Sequence, residues 1–158
     1  PKIADYPFTT VKPVLGVVRF GDFNSFTVAD IPGLIEGASR GAGMGIKFLR
    51  HIERTRLFLH LIDCGDPAHP DPWESYKKIN QELWSYSPSF KKKTQWVVFT
   101  KIDLVLEAKT REKFREPFEK KGFRIFMISS ATGEGLDELI RAVGAELERE
   151  RHETQAEG

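Results

Sequence analysis

The segment Asp30-Ile31-Pro32-Gly33 has the residue types in this chain that best suit a functional site for a metal ion and phosphate. It follows residues 25–29, whose pattern predicts a buried strand, and it precedes a glycine-rich run at residues 41–45. A carboxylate at the end of a strand, followed by a turn whose glycine lets the backbone approach a ligand, suits a site for Mg²⁺ and phosphate. The same residues are also an ordinary turn signature, because proline and glycine supply the dihedral angles of a turn. The segment alone leaves both interpretations open.

Two more polar segments follow strand-like runs further along the chain. Residues 100–103 come directly after the apolar residues 96–99, and residues 129–133 come directly after residues 124–128. Ligands of open α/β sheets bind beyond the carboxyl ends of the strands, so these segments are expected to meet at one edge of a sheet. Residues 100–103 are also compatible with a plain strand end and helix cap. Their pairing with residues 129–133 favours a binding site.

The residue types in these two segments suit recognition of guanine. The carboxylate of Asp103 can accept two hydrogen bonds from one planar edge, and guanine presents its N1–H and exocyclic amine side by side. Adenine has no such edge and would leave the carboxylate unpaired. The aliphatic stem of Lys101 can lie on the face of the base, and backbone N–H groups around Ser130 can donate to the guanine O6. The two segments together predict a guanine-binding site.

The elements that must position these segments alternate along the chain. The predicted strands are residues 15–20, 25–29, 57–62, 96–99 and 124–128, and the predicted helices are residues 46–54, 73–86, 109–121 and 135–150. The turn residues 21–24 predict that the first two strands form a hairpin. Continuous apolar runs, such as residues 57–62, predict parallel strands that are buried on both faces. The predicted fold is a three-layer α/β domain with a mostly parallel sheet and one antiparallel hairpin.

Composition sets outer bounds on the function. The chain has 158 residues and a formal net charge of +1, which suits one domain with a real core and favours no particular partner. The lysine run at residues 91–93 is interpreted as a solvated loop in preference to a nucleic-acid patch. Cys64 is the only cysteine, which excludes an intrachain disulfide, and we interpret both Cys64 and His60 as packing groups. No apolar run is long enough to span a membrane.

The order of the motifs resembles the G domain of the Obg group of bacterial ribosome-associated GTPases. The matching segments are residues 6–10 with Pro13 and residues 15–17 for the first switch, residues 30–38 and 41–45 for the second switch, and residues 129–135 for the last guanine-binding loop. The resemblance covers residues 1–152, which are taken as one partial G domain, and residues 153–158 are a polar tail. Residues 151–158 are expected to fray.

The resemblance implies a set of site residues. The nucleotide-binding residues would be Phe8, Thr9, Thr10, Val11, Lys12, Asp30, Ile31, Pro32, Gly33, Thr100, Lys101, Ile102, Asp103, Ser129, Ser130 and Ala131. Thr10 would coordinate Mg²⁺, with Thr9 as the nearest competitor for that role, and Asp30 would hold the metal through a water molecule. The N–H of Gly33 would bind the γ-phosphate of GTP. The resemblance also implies GTP and GDP as ligands, Mg²⁺ as cofactor, a ribosomal particle as partner, a role in large-subunit biogenesis, cell-cycle and stress control, a cytoplasmic location and a monomeric state.

The sequence departs from the family pattern at three places, and Leu34 departs from a pattern found in many GTPases. Thr100 replaces the usual Asn, which is expected to weaken one hydrogen bond by about 1 kcal/mol, and Ser130 replaces the usual Ala. Leu34 stands where many GTPases have the Gln that orients the attacking water, so no catalytic base is assigned and slow hydrolysis is predicted. No Gly-x-x-x-x-Gly-Lys-[Ser/Thr] motif occurs. The loop that binds the β- and γ-phosphates and the strand that precedes it are therefore missing from this sequence. We hypothesise that the chain is the later part of a longer protein and expect it to bind nucleotide poorly alone.

One alternative function stays open. A non-hydrolysing interaction module that keeps the fold and has lost its phosphate loop would also explain the missing motif. The presence of Thr10, Asp30, Gly33 and Asp103 argues against it, because an inactive site has no physical need for all four residues.

Overall fold

The computed structural model describes residues 2–3, 14–29, 55–68, 70–86 and 88–157. The predicted second switch, the predicted first switch apart from residues 15–17, and the predicted helix over residues 46–54 lie outside these ranges. The assignments made for them therefore stay predictions.

The first described strands form a small antiparallel sheet in the order β1 (Lys2–Ile3), β2 (Val14–Phe20) and β3 (Asn24–Ala29). β2 and β3 are joined by residues 21–23, and Gly21 adopts a left-handed conformation with φ of 62°. Glycine accepts this conformation without steric cost, which suits the tight turn. The predicted hairpin is confirmed.

A second sheet consists of three parallel strands in the order β4 (Leu57–Asp63), β5 (Thr94–Thr100) and β6 (Ile125–Met127). Leu57 pairs with Thr94 at one end of the β4–β5 ladder and Asp63 pairs with Thr100 at the other. The carboxyl ends of these strands therefore lie at one edge, as the sequence predicts.

Three α-helices connect or follow these strands: α1 (Pro72–Tyr86), α2 (Ala108–Lys120) and α3 (Leu136–Glu157). Short 3₁₀ helices span Pro88–Lys92 and Ile102–Leu104. The expectation that the last helix ends near residue 150 is wrong, because α3 continues to Glu157. Arg149 pairs with Glu146 and Glu153 on neighbouring turns of α3, and such pairs extend a helix through a polar segment.

The parallel sheet is covered on both faces, which confirms the three-layer α/β architecture. α1 and α2 pack on one face, where the buried residues are Ile62, Tyr76, Val97, Phe99 and Phe118. α3 packs on the other face, where the buried residues are Leu57, Trp96, Val98, Phe126, Ile128, Leu139 and Val143.

The hairpin also rests on α3. Phe26 of β3 packs against the core formed by α3, and a Cβ atom on Gly144 would lie 2.4 Å from the ring of Phe20. Within the described residues, β3 pairs only with β2, and β4 pairs only with β5. The described strands therefore form two sheets that share one helix, where a single mostly parallel sheet was expected.

Two expectations of burial are wrong. β3 is exposed along its length except at Phe26, because only that side chain reaches the α3 core within the described residues. β4 is not buried on both faces throughout, because Leu61 is 58% exposed near the carboxyl end of the strand. The packing of α3 covers Leu57 and Leu59 further back on the same face.

Candidate functional site

The loops that follow β5 and β6 meet at the carboxyl edge of the parallel sheet. Ser129 follows β6 and is completely buried, and its hydroxyl donates a hydrogen bond of 2.7 Å to Oδ1 of Asp103. Asp103 lies three residues beyond the end of β5 and is half-buried. The structure thus brings together the two segments that the sequence assigned to one site.

The loop after β5 turns sharply at Lys101. Its φ of 58° is the one left-handed value for a non-glycine residue among the described residues. Such strain is held only where the surroundings enforce it, and it occurs most often at functional sites. Here the N–H of Ile102 donates to the carbonyl of Ile128 at 3.1 Å, and the N–H of Leu104 donates to the carbonyl of Lys101 at 3.0 Å. These bonds and the complete burial of Ile102 fix the position of Asp103 between them.

The loop after β6 is closed by its own backbone. Ser129 donates its N–H to the carbonyl of Glu134 at 2.9 Å, and Gly133 donates its N–H to the carbonyl of Ser129 at 2.8 Å. The N–H of Thr132 donates to the Ser129 hydroxyl oxygen at 3.1 Å. Ser130 and Ala131 lie exposed at the tip of the loop, where a ligand can reach them.

Gly135 ends this loop at a position where a side chain does not fit. Its φ is 74°, and a Cβ atom would lie 2.0 Å from the carbonyl oxygen of Met127. The close approach holds the loop against the end of β6 before α3 begins.

Arg111, in the first turn of α2, joins the two loops from behind. Its Nε donates to the carbonyl of Val105 at 2.7 Å, and its Nη2 donates to the carbonyl of Ile102 at 3.0 Å. Its Nη1 donates to Oε2 of Glu134 at 3.0 Å. Because a guanidinium group has five donors in a planar fork, one side chain holds the backbone on both sides of Asp103 and also the loop after β6. The sequence analysis did not find this residue, since an arginine in a charged helix carries no distinguishing pattern.

Lys101 and Asp63 form an ion pair across the ends of β5 and β4. Nζ of Lys101 lies 2.8 Å from Oδ2 of Asp63, and the other oxygen accepts the N–H of Gly65 at 2.8 Å. The hydrogen bond from Lys101 is the main cause that lowers the pKa of Asp63, and the same bond raises the pKa of Lys101. The pair lays the lysine stem along the carboxyl edge of the sheet. The sequence analysis did not assign Asp63 to this site.

Thr100 is engaged within the sheet. Its hydroxyl lies 3.4 Å from the carbonyl of Ile62, a long hydrogen bond, and its own carbonyl accepts the N–H of Cys64 at 3.2 Å. These contacts join the ends of β4 and β5. The nucleotide contact expected of Thr100 stays a prediction.

The predicted metal ligands, Thr10 and Asp30, lie outside the described residues, although β3 ends at Ala29, directly before Asp30. A hydroxyl and a carboxylate are both hard oxygen donors of the kind that Mg²⁺ prefers, so this donor set fits the metal. Within the described ranges, no group of three or more His, Cys, Asp or Glu side chains is placed to hold a metal ion. None of the described helices has the length and apolarity needed to cross a bilayer.

The sequence also matches a family model described as 50S ribosome-binding GTPase over residues 1–101. The chain belongs to this GTPase family. It is similar to the GTPase Obg of Syntrophotalea carbinolica, with 53% identity over 151 residues that cover 96% of this chain and 42% of the relative. It is 50% identical over 149 residues to the GTPase Obg of Persephonella marina, covering 94% of this chain and 44% of the relative. The resemblance to Obg proteins is thereby confirmed, and the chain spans less than half the length of these relatives.

A solved structure supports the same family assignment. The chain is similar to the GTPase Era, whose crystal structure was determined in complex with MgGDPNP and a segment of 16S ribosomal RNA. The TM-score is 0.58 at 26% identity, and the similarity covers 83% of this chain and 43% of Era.

Proposed function

We propose that this chain carries the guanine-recognition part of a Mg²⁺-dependent GTPase that switches between GTP-bound and GDP-bound states. The observation that supports it most directly is the hydrogen bond between Ser129 and Asp103 at the carboxyl edge of the sheet. It joins the two loops that the guanine-binding motifs occupy, and membership of the GTPase family supports the ligand class.

Base recognition falls to residues of the two loops. The carboxylate of Asp103 accepts hydrogen bonds from the N1–H and the exocyclic amine of guanine, and adenine is rejected because it leaves the carboxylate unpaired. The Lys101 stem, held by Asp63, covers one face of the base. The exposed backbone of Ser130 and Ala131 supplies N–H donors to the guanine O6.

Phosphate recognition is assigned to the two switch segments. Thr10 and Asp30 would hold Mg²⁺, and Gly33 would donate its N–H to the γ-phosphate. When bound, the metal neutralises charge on the phosphate oxygens. The remaining assigned contacts are Phe8, Thr9, Val11, Lys12, Ile31 and Pro32. Ordering of these segments by the γ-phosphate would provide the switch.

The activity of the whole protein is proposed to be slow GTP hydrolysis. Leu34 cannot orient a water molecule, so no residue of the chain is assigned to that step. The name of the matching family and the similarity to Obg proteins support a ribosomal particle as partner and a role in large-subunit biogenesis with cell-cycle and stress control. A monomeric, cytoplasmic protein is part of the same proposal.

A second candidate is a non-hydrolysing interaction module. This candidate requires that the whole protein has no Gly-x-x-x-x-Gly-Lys-[Ser/Thr] motif, because that loop makes the main phosphate contacts of such GTPases.

One titration separates the two candidates. The protein at its full native length is titrated with fluorescent GDP, GTP and ATP, with and without Mg²⁺. We expect binding of both guanine nucleotides, with Mg²⁺ strengthening GTP binding, and no competition by ATP. Failure of GDP and GTP to bind would leave only the interaction module, and equal binding of ATP would contradict the assignment of Asp103.

A further inference from the structure

A second concave surface lies at the opposite end of the parallel sheet from Asp103. It is a groove of about 380 Å³ at the amino ends of β5 and β6. Its walls are the last turn of α1 with the following 3₁₀ helix, and the turn that links α2 to β6. This volume lies in the lower part of the range of small-ligand pockets. We call it the amino-end groove.

The charges that line the amino-end groove have one sign. Four cationic side chains line it, Lys91, Lys93, Lys121 and Arg124, and none of its described lining residues is Asp or Glu. The chain as a whole carries a formal charge of only +1, so the cations are concentrated locally. Lys93 is anchored by a hydrogen bond of 2.8 Å to the carbonyl of Thr55, and the other three cationic residues are exposed.

The negative partial charges at two helix ends do not neutralise this positive charge. α1 and α2 both end beside the groove, and each helix C-terminus carries a partial charge of about −0.5. Two such ends offset about one unit of positive charge, whereas four cations line the groove. The two helix ends therefore do not neutralise the four cations that line the groove.

Aromatic rings lie beneath two of the cations. Nζ of Lys91 lies 5.2 Å from the ring centroid of Trp84, and the guanidinium carbon of Arg124 lies 4.5 Å from the ring centroid of Trp96. These cation–π contacts hold the two charged groups in place over the aromatic rings. Trp96 is buried, but Trp84 and Phe123 are only half-buried and present ring surface within the groove.

We infer that the amino-end groove binds single-stranded nucleic acid, and this replaces the interpretation of the lysine run at residues 91–93 as a solvated loop. Phosphates would lie on Lys91, Lys121 and Arg124, and a base would pack against the ring of Trp84. Cations beside accessible aromatic rings are the combination that single-stranded nucleic acid requires, whereas an acidic peptide has no use for the rings. A concave groove admits one strand in preference to the convex backbone of a duplex. The groove and the predicted guanine site lie at opposite ends of the sheet, so both ligands could be bound together.

The test measures binding of a fluorescein-labelled single-stranded RNA of about 12 nucleotides by the full-length protein. The variant Lys91→Gln/Lys121→Gln is compared with Lys109→Gln/Lys113→Gln, which removes two exposed lysines nearer the start of α2. We expect the groove variant to weaken binding at least about tenfold at low salt and the control variant to change it less than about twofold. The slope of log affinity against log salt concentration should fall in magnitude by about 1.4, or about 0.7 for each phosphate contact removed. Neither substitution is expected to change the melting temperature, because all four lysines are exposed.

Three results would overturn the inference: no RNA binding at about 50 mM salt, equal losses in both double variants, or an acidic peptide that binds as tightly as the RNA and is equally sensitive to the groove variant. The same titration with Asp103→Asn separates this inference from the proposed function. RNA binding should persist in that variant, and it should persist even if the wild-type protein failed to bind any guanine nucleotide.

Discussion

The buried hydroxyl of Ser129 and the half-buried carboxylate of Asp103, 26 positions apart in sequence, lie 2.7 Å apart in a charge-assisted hydrogen bond. The bond orients the carboxylate, and the same hydroxyl oxygen accepts the N–H of Thr132. A base that contacts Asp103 is therefore coupled to the loop after β6 through one side chain.

Replacement of Asp103 by Asn should change which base is preferred. Xanthine carries a carbonyl where guanine carries its exocyclic amine, and the amide of Asn can donate to that oxygen. We expect Asp103→Asn to weaken GDP binding about 10- to 100-fold, the cost of losing a hydrogen bond to a charged group, and to raise the relative affinity for xanthosine diphosphate. Competition titrations with the two diphosphates measure the ratio. Asp137→Asn, an exposed carboxylate at the start of α3, is the matched control, and an unchanged ratio in the Asp103 variant would contradict guanine selection by this residue.

Arg111 should act as a positioning residue for the same carboxylate. Lysine keeps the charge of Arg111 but cannot span the carbonyls of Ile102 and Val105 and the carboxylate of Glu134 at once. Arg111→Lys should lower the free energy of unfolding by about 1–2 kcal/mol and speed amide exchange on both sides of Asp103. Guanine affinity should fall several-fold as the carboxylate loses its fixed position.

The control for the hydrogen bonds of Arg111 is the variant Arg115→Lys, at a position one turn further along α2. Among the described residues Arg115 pairs only with Glu112 and Glu119 on its own helix, so its replacement should leave exchange at residues 102–105 unchanged. Measurement of amide exchange in the absence of nucleotide tests the positioning role of Arg111 separately from guanine binding. Equal protection in wild-type protein and Arg111→Lys would show that the loop is held by other contacts.

The sequence reveals the base-reading segments because their signal is local. Polar residues directly after apolar strands predict both the strand end and the site, so the segments around Asp103 and Ser129 could be found. Arg111 and Asp63 could not be found, because their roles depend on how α2 and β4 pack beside those loops. The burial of β3 was overestimated for a similar reason. A strand is buried only where another element packs against its face, and the local sequence pattern does not show whether such an element is present.

The glycines of the loop after β6 should differ sharply in their tolerance of alanine. Both have left-handed backbones, with φ of 86° at Gly133 and 74° at Gly135. A Cβ atom on Gly133 would meet nothing within 4 Å, whereas one on Gly135 would lie 2.0 Å from the Met127 carbonyl oxygen. Gly133→Ala should cost only the backbone strain, about 1–2 kcal/mol, and Gly135→Ala should cost at least about 3 kcal/mol and displace the loop. Urea denaturation of the two variants gives the difference directly, and equal losses would show that the loop shifts to make room at Gly135.

His60 should make the stability of the protein sensitive to mildly acidic pH. Its Nδ1 lies 3.2 Å from the amide nitrogen of Gln95 and 3.4 Å from that of Asn80, and its ring packs 5.0 Å from that of Tyr76. Burial lowers the pKa of His60 from 6.5 to about 4. In the unfolded chain, where the pKa is ordinary, the ring takes up a proton as the pH falls below about 6.5, while the folded protein takes it up only near 4.

The stabilising effect of the neutral ring is therefore complete above about pH 6.5 and is lost as the pH falls toward about 4. Between about pH 7 and pH 5 the free energy of unfolding should fall by about 2 kcal/mol on account of this residue. Urea denaturation at the two pH values measures the fall, and the His60→Gln variant should show a correspondingly smaller one. His152→Gln removes an exposed imidazole on α3 and should retain the pH dependence of the wild-type protein. An identical fall in wild-type protein and His60→Gln would mean that carboxyl groups, and not the His60 imidazole, set the acid sensitivity.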